Sequence, residues 1–279
     1  SSRYIMDWEQ IVEAIPAVIA QIRTDYILNN NTIRDDIFGI LEKYCHVIYY
    51  PLENEKNCGF HTKRFLNGKL EDFVYINTAK PIADQVFAAA HELGHVWGVA
   101  EKVCAKTSTC GSLTEQEEEL IINRFAAELL MPEDEFKKTF HAHMKELHLN
   151  PTQITLENLI RVIVMQMNDF MVPYESVRRR LIETGIITSG VGSILDSNQT
   201  IIYPLIKAYS KDVNTMLDKI TGKKTIPGLR SLIEYVENNN LLDQYTICKI
   251  KKDFDIDDVN GIANKTFNIA AEAYADEEN

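Results

Sequence analysis

The tightest constraint in this sequence is the run His91–Glu92–Leu93–Gly94–His95. Two imidazoles four residues apart reach one point only if the segment is helical, because positions i and i+4 lie one turn apart on one face. Val86, Ala89, Ala90 and Leu93 are apolar, so the other face of that helix has to be covered. Gly94 costs a helix interior about 1 kcal/mol relative to Ala. That cost makes sense where a second element must approach closely.

The residue types point to a metal. Two neutral imidazoles suit zinc, which in catalytic sites takes three protein ligands and keeps one position for water. Glu92 adjoins the pair without being needed as a ligand, and a carboxylate there can act as general base. A third ligand is required, and the next helix carries Glu115, Glu117, Glu118, Glu119 and then Asn123. Acids at a helix start also interact favourably with the helix dipole and with water. Spacing separates them. Glu119 shares a face with Asn123 and adjoins the apolar run Leu120, Ile121, Ile122 and Phe125. Glu119 is therefore the first candidate third ligand and Glu118 the second. Asn123 is the candidate acceptor for the free N–H of a ligand histidine.

Charge narrows the partners. Among 279 residues there are 29 Lys and Arg against 41 Asp and Glu, a net charge of −12. Nucleic-acid and anionic-membrane binding both need clustered cations, so both are disfavoured. Arg178–Arg179–Arg180 is a local exception, and it keeps a DNA-binding regulator acting through residues 172–185 as a competing reading. The five cysteines are an odd number without a dense framework, which predicts reduced thiols in a cytosol. Cys104 and Cys110 are close enough in sequence to close a short loop. No apolar run approaches the roughly 20 residues of a membrane span.

Hydrophobic periodicity orders the elements. It predicts helices over Trp8–Ile27 and Ile33–Tyr44, then strands at Val47–Tyr50, Gly59–Leu66 and Phe73–Asn77. Asn67–Gly68 marks a hairpin, since both residues tolerate positive φ. Helices follow over Ile82–Val99, from a capping box at Thr114 and Glu117 to a stop before Pro132, and over Asp134–Leu147, Leu156–Met167 and Tyr174–Thr184. Residues 188–200 are rich in Gly, Ser and Asn and read as a linker. From Leu241 onward the chain carries nine acids and four lysines and reads as helical. The expected fold class is α+β: a sheet of about three strands flanking the His91–His95 helix, a helical bundle, and a mostly helical C-terminal unit. The expected division is residues 1–190 and 191–279.

Three stretches carry a family likeness: "VYINTAKPIADQVFAAAHELGHVWG", "EEELIINRFAAELLMP" and "VPYESVRRRLIETGII". They resemble the ImmA/IrrE family of metallopeptidases. The matching positions are Ile76–Asn77, Ala90 to His95, Glu119 with Asn123, Phe125–Ala126, Leu129 to Pro132 and Val172 to Gly185. The resemblance implies a gluzincin-like zinc endopeptidase, with His91, His95 and Glu119 as ligands and Glu92 as general base. Such proteins are bacterial and cytosolic, often carried on mobile elements, and several cut a helix-turn-helix repressor. This chain departs from the pattern at Ile122, where Ala is usual, and at Gln85 and Val86, where an Arg commonly precedes Phe87.

Other constellations are weaker. Phe73–Asn77, with Tyr75 and Asn77, is a candidate edge strand for pairing with substrate backbone. His61 and Tyr174 are candidate oxyanion donors. His46 lies on or near a strand. His141, His143 and His148 lack a Cys or acid at ligand spacing and read as a solvated helix face. Asp253, Asp255 and Asp257 imitate a calcium loop, but its sixth position is Asp258 and its twelfth Asn264, which argues against calcium. Gly190–Val191–Gly192 lacks the strand-to-helix setting of a nucleotide site. A further competing reading is a binding module that sequesters a regulator without cutting it.

Overall fold

Five apolar residues at helical spacing, Ile11, Ile15, Val18, Ile19 and Ile22, bury one face of α1 (Trp8–Asp25). The Asp7 side chain caps its start by accepting from the Gln10 amide at 3.3 Å. The computed structural model describes residues 6–26, 32–107, 111–213 and 216–256. α2 (Asp36–Tyr44) follows, buried through Ile37 and Leu41.

The period then changes to two. β1 (His46–Tyr50), β2 (Gly59–Leu66) and β3 (Lys69–Asn77) form one sheet. Asn67 and Gly68 turn the β2–β3 hairpin with φ of 51° and 77°, as their composition requires. Strand order is β1-β3-β2, with β1 parallel and β2 antiparallel to β3. This corrects one expectation. Phe73–Asn77 is not an edge strand, because β3 is paired on both sides. Among the described strands the free edge on the hairpin side belongs to β2.

α3 (Ile82–Val96) carries the histidine pair. The single helix expected to reach Val99 is broken: Gly98 takes φ of 60° and α4 (Val99–Cys104) starts anew. Pro81 gives α3 no side-chain cap. Instead the first amides, of Ile82 and Ala83, donate to the carbonyls of Lys219 and Leu217 at 2.9 and 3.3 Å. Gln85, one of the departures from the family pattern, is buried and donates to the Lys80 carbonyl at 2.8 Å and to Thr221 Oγ1 at 3.3 Å.

α5 (Glu115–Leu130) opens on the expected capping box, with both Thr114–Glu117 bonds made. α3 and α5 meet at Gly94. A Cβ there would lie 3.0 Å from Phe125 Cδ1 and 3.1 Å from Ile122 Cγ2, so the glycine permits the close approach its helix cost suggested. α6 (Glu133–Glu146), α7 (Leu156–Phe170) and α8 (Tyr174–Glu183) complete the bundle.

Residues 188–200, read as a linker, are helical: α9 (Ser189–Ser197) is followed by α10 (Gln199–Asp212). The glycine that suggested a loop serves packing, since a Cβ on Gly192 would fall 2.4 Å from Ile182 Cδ1. Ile202 and Ile206 bury α10. The chain divides into two compact units, residues 1–223 and 224–279, whereas the boundary expected from sequence lies at 190/191. Within the second unit α11 (Leu229–Asn238) and α12 (Gln244–Asp253) are linked by a Lys251–Glu237 ion pair at 2.7 Å.

Cys104, at the end of α4, is disulfide-bonded, which corrects the expectation of reduced thiols. Cys45, Cys58 and Cys248 are free, and Cys110 lies outside the described residues. Among the described residues no helix is long and apolar enough to cross a membrane.

Candidate metal centre

The antiparallel crossing of α3 and α5 at Gly94 sets the site. It brings His91 and His95 against Glu119 and Asn123. His91 Nε2 lies 3.0 Å from Glu119 Oε2, and His95 Nε2 lies 3.0 Å from Glu119 Oε1. The two Nε2 atoms are 3.3 Å apart. Asn123 Oδ1 lies 3.0 Å from His91 Nδ1. An amide oxygen only accepts, so His91 Nδ1 is the donor and, in the neutral ring, Nε2 keeps its lone pair. His95 Nδ1 faces Glu118 Oε1 at 3.3 Å, which by the same logic leaves His95 Nε2 as an acceptor. Two imidazole lone pairs and two carboxylate oxygens therefore point at one another. Such a set is satisfied by a cation between them. Burial, the largest influence on His91, pushes its pKa down and favours the neutral ring that binds metal. His91, Glu92 and His95 also offer ligand-type atoms that all lie within 4.8 Å of one another.

Glu92 is 6% exposed and makes no hydrogen bond among the described residues. Burial, and then the neighbouring charge of Glu119, push its pKa up to about 8. It faces a cleft of about 700 Å³. One wall is α3, with Asp84, Phe87, Ala88 and the histidines. A second is the start of β2, with Gly59, Phe60 and His61. The third is α5, with Glu115, Glu118, Glu119 and Asn123.

The other sequence candidates fall on both sides of this boundary. His61 lines the cleft; its Nε2 is 2.6 Å from Asp72 Oδ1 and its ring lies parallel to that of His95, with centroids 5.9 Å apart. Tyr75 does not line the cleft: its hydroxyl donates to the Tyr50 carbonyl at 2.9 Å. Asn77 is fully buried and spent on structure, donating to the Leu52 and Asn57 carbonyls and accepting from the Leu52 and Ala79 amides. Tyr174 is 5% exposed and packs on Tyr203, and its place at the cleft is taken by Pro173. Burial pushes the Tyr174 hydroxyl up to about 12.

Asp72 and Asp84 were missed by sequence reasoning, as was Gly59. A Cβ at Gly59 would lie 2.7 Å from the Tyr75 carbonyl and 3.5 Å from Glu92 Cγ. The signal was a glycine at the first position of a strand, which marks close backbone approach.

Two expectations outside the cleft are corrected. His143 is not on a solvated face, because its Nε2 pairs with Asp169 Oδ2 across α6 and α7. Nor is the arginine triplet an open cationic patch. Arg180 is 2% exposed, donates to the Met131 carbonyl and pairs with Glu183. Arg178 and Arg179 both pair with Glu175. His46 pairs with Glu71 at 2.9 Å. Asp253 pairs with Lys224, and Asp257 lies outside the described residues.

A family model described as the IrrE N-terminal-like domain, Peptidase_M78, matches residues 42–181, half of the chain. The chain belongs to this family. The match begins in α2 and ends in α8, so it encloses the sheet, the histidine helix and α5 of this Peptidase_M78 member. The family is one of metallopeptidases. No curated protein matches the chain. Among solved structures, a Mycobacterium tuberculosis transcriptional regulator is similar at 15% identity with a TM-score of 0.39, over 61% of this chain and 46% of that one. The chain thus spans less than half the length of that protein.

Proposed function

We propose that this chain is a zinc-dependent endopeptidase in which His91, His95 and Glu119 hold the metal and Glu92 is the general base. One observation carries this: both Nε2 atoms lie 3.0 Å from the two oxygens of a single carboxylate, with lone pairs facing inward. When bound, zinc supplies Lewis acidity, polarising a carbonyl and bringing the pKa of a water to about 7. The protein residues do the rest. Asn123 holds the proton of His91 at Nδ1 and so fixes the ring. Glu92, buried and without a competing hydrogen bond, takes a proton at its carboxylate and returns it to the leaving amine. Burial, and then the Glu119 charge, raise its carboxyl to about 8, and a nearby cation would act in the opposite direction.

The free edge of β2 beside the cleft suits an extended substrate backbone better than β3 does. Catalysis is assigned to residues 1–190, with 191–279 as an accessory unit. The family likeness supports a protein substrate, and a bacterial regulator such as a helix-turn-helix repressor in the cytoplasm is the candidate. The test is Glu92→Gln in the full chain. It should keep its zinc and lose at least about 1,000-fold in peptide hydrolysis, measured by mass spectrometry of cleaved products. Hydrolysis at the unaltered rate would remove Glu92 from the mechanism. Release of a regulator that continues in the variant would favour the sequestering module instead.

A further inference from the structure

The cleft is negative throughout. Five carboxylates line it, from Asp84, Glu92, Glu115, Glu118 and Glu119, and no lysine or arginine does. A dication held by the histidines would balance two of them. Glu118 and Glu119 face the imidazoles, and Glu92 has the role proposed above. Asp84 and Glu115 do not face the imidazoles; they are first-turn acids of α3 and α5.

Asp84 precedes His91 by seven residues on α3, which puts it on the same face about 10 Å along the axis. It is half-buried and forms no ion pair among the described residues. Burial pushes its carboxyl upward, the nearby Lys80 charge opposes this, and the Asp218 charge adds to the rise. Glu115 opens α5, one turn before Glu119. Because α3 and α5 run antiparallel, with His91 against Asn123 and His95 against Glu118, Asp84 and Glu115 lie at opposite ends of the cleft. Phe60 and Phe87 add apolar faces on which the aliphatic stem of a long basic side chain can lie. Glu92, 6% exposed and without a hydrogen-bond partner among the described residues, faces this space as well.

We propose that the cleft selects peptide segments carrying Lys or Arg on both sides of the reacting bond, read by Asp84 at one end and Glu115 at the other. The proposal rests on the peptidase reading and adds a substrate class to it. The net charge of −12 draws the same ligands from a distance.

The experiment uses the zinc-loaded full chain and two dye-labelled dodecapeptide pools that differ only in carrying Lys and Arg or Gln at the same positions. Binding is read by anisotropy and cutting by mass spectrometry. The basic pool should bind about tenfold tighter at low salt, and the ratio should fall to about twofold in Asp84→Asn/Glu115→Gln. Glu9→Gln/Glu13→Gln, which removes the same charge from the exposed face of α1, should keep the full ratio. Equal binding of the pools, or an unchanged ratio in the cleft variant, overturns the proposal. Both pools cut equally leaves the peptidase reading standing and ends the selection. Biased binding without cutting does the reverse, and neither binding nor cutting ends both.

Discussion

At the scale of single residues, Asn123 decides which nitrogen of His91 is free. Its oxygen can only accept, so it pins the ring proton at Nδ1 and leaves Nε2 bare. Asn123→Ala releases that proton and lets the ring turn. Zinc affinity should fall by about 10- to 100-fold, the usual loss for an outer hydrogen-bond partner, as read by competition with a chromophoric chelator. An unchanged affinity would mean that packing alone orients His91. Asn123 was legible in the sequence because it lies four residues after Glu119. Tyr75, Asn77 and Tyr174 were not sorted correctly, since spacing shows which face a side chain takes but not what it bonds. Asn77 illustrates this: four hydrogen bonds to residues 52–79 consume it.

At the scale of elements, the site is a helix crossing made possible by one missing methyl group. Gly94→Ala would gain about 1 kcal/mol of helix propensity and lose about 1–3 kcal/mol to overpacking against Phe125 and Ile122. Stability should therefore change little or fall by up to about 2 kcal/mol in urea unfolding. Hydrolysis should fall far more, because α5 is pushed back and carries Glu119 with it. Full activity in Gly94→Ala would show that the crossing tolerates the shift.

A second element pair titrates. The Asp169 carboxylate bonded to His143 holds that imidazole above its ordinary pKa of 6.5, joining α6 to α7. A folded-state pKa raised above the unfolded one gives stability that is complete below about 6.5 and is lost as pH rises through the folded value. Melting temperature should decline over that window in the native chain and stay flatter in Asp169→Asn. An identical pH profile in the two proteins would rule out this contribution.

At the scale of the whole molecule, the order of helices and strands was legible because period and turn residues are local. Strand order was not, since nothing in Phe73–Asn77 says that β1 would add in parallel on its far side. Residues 188–200 misled for a related reason. Glycine and serine mark loops when seen alone, but Gly192 is the small residue that lets α9 lie against Ile182 of α8. The arginine triplet misled through charge: Arg180 is buried because Glu128, Glu183 and the Met131 carbonyl surround its guanidinium.

Zinc titration of the purified full chain beside Glu119→Ala bears most directly on the convergence of two imidazoles and one carboxylate. The native chain should bind one zinc, and Glu119→Ala should lose more affinity than the roughly 10- to 100-fold expected for Asn123→Ala. A Glu119→Ala chain that binds zinc as tightly as the native one would contradict the account.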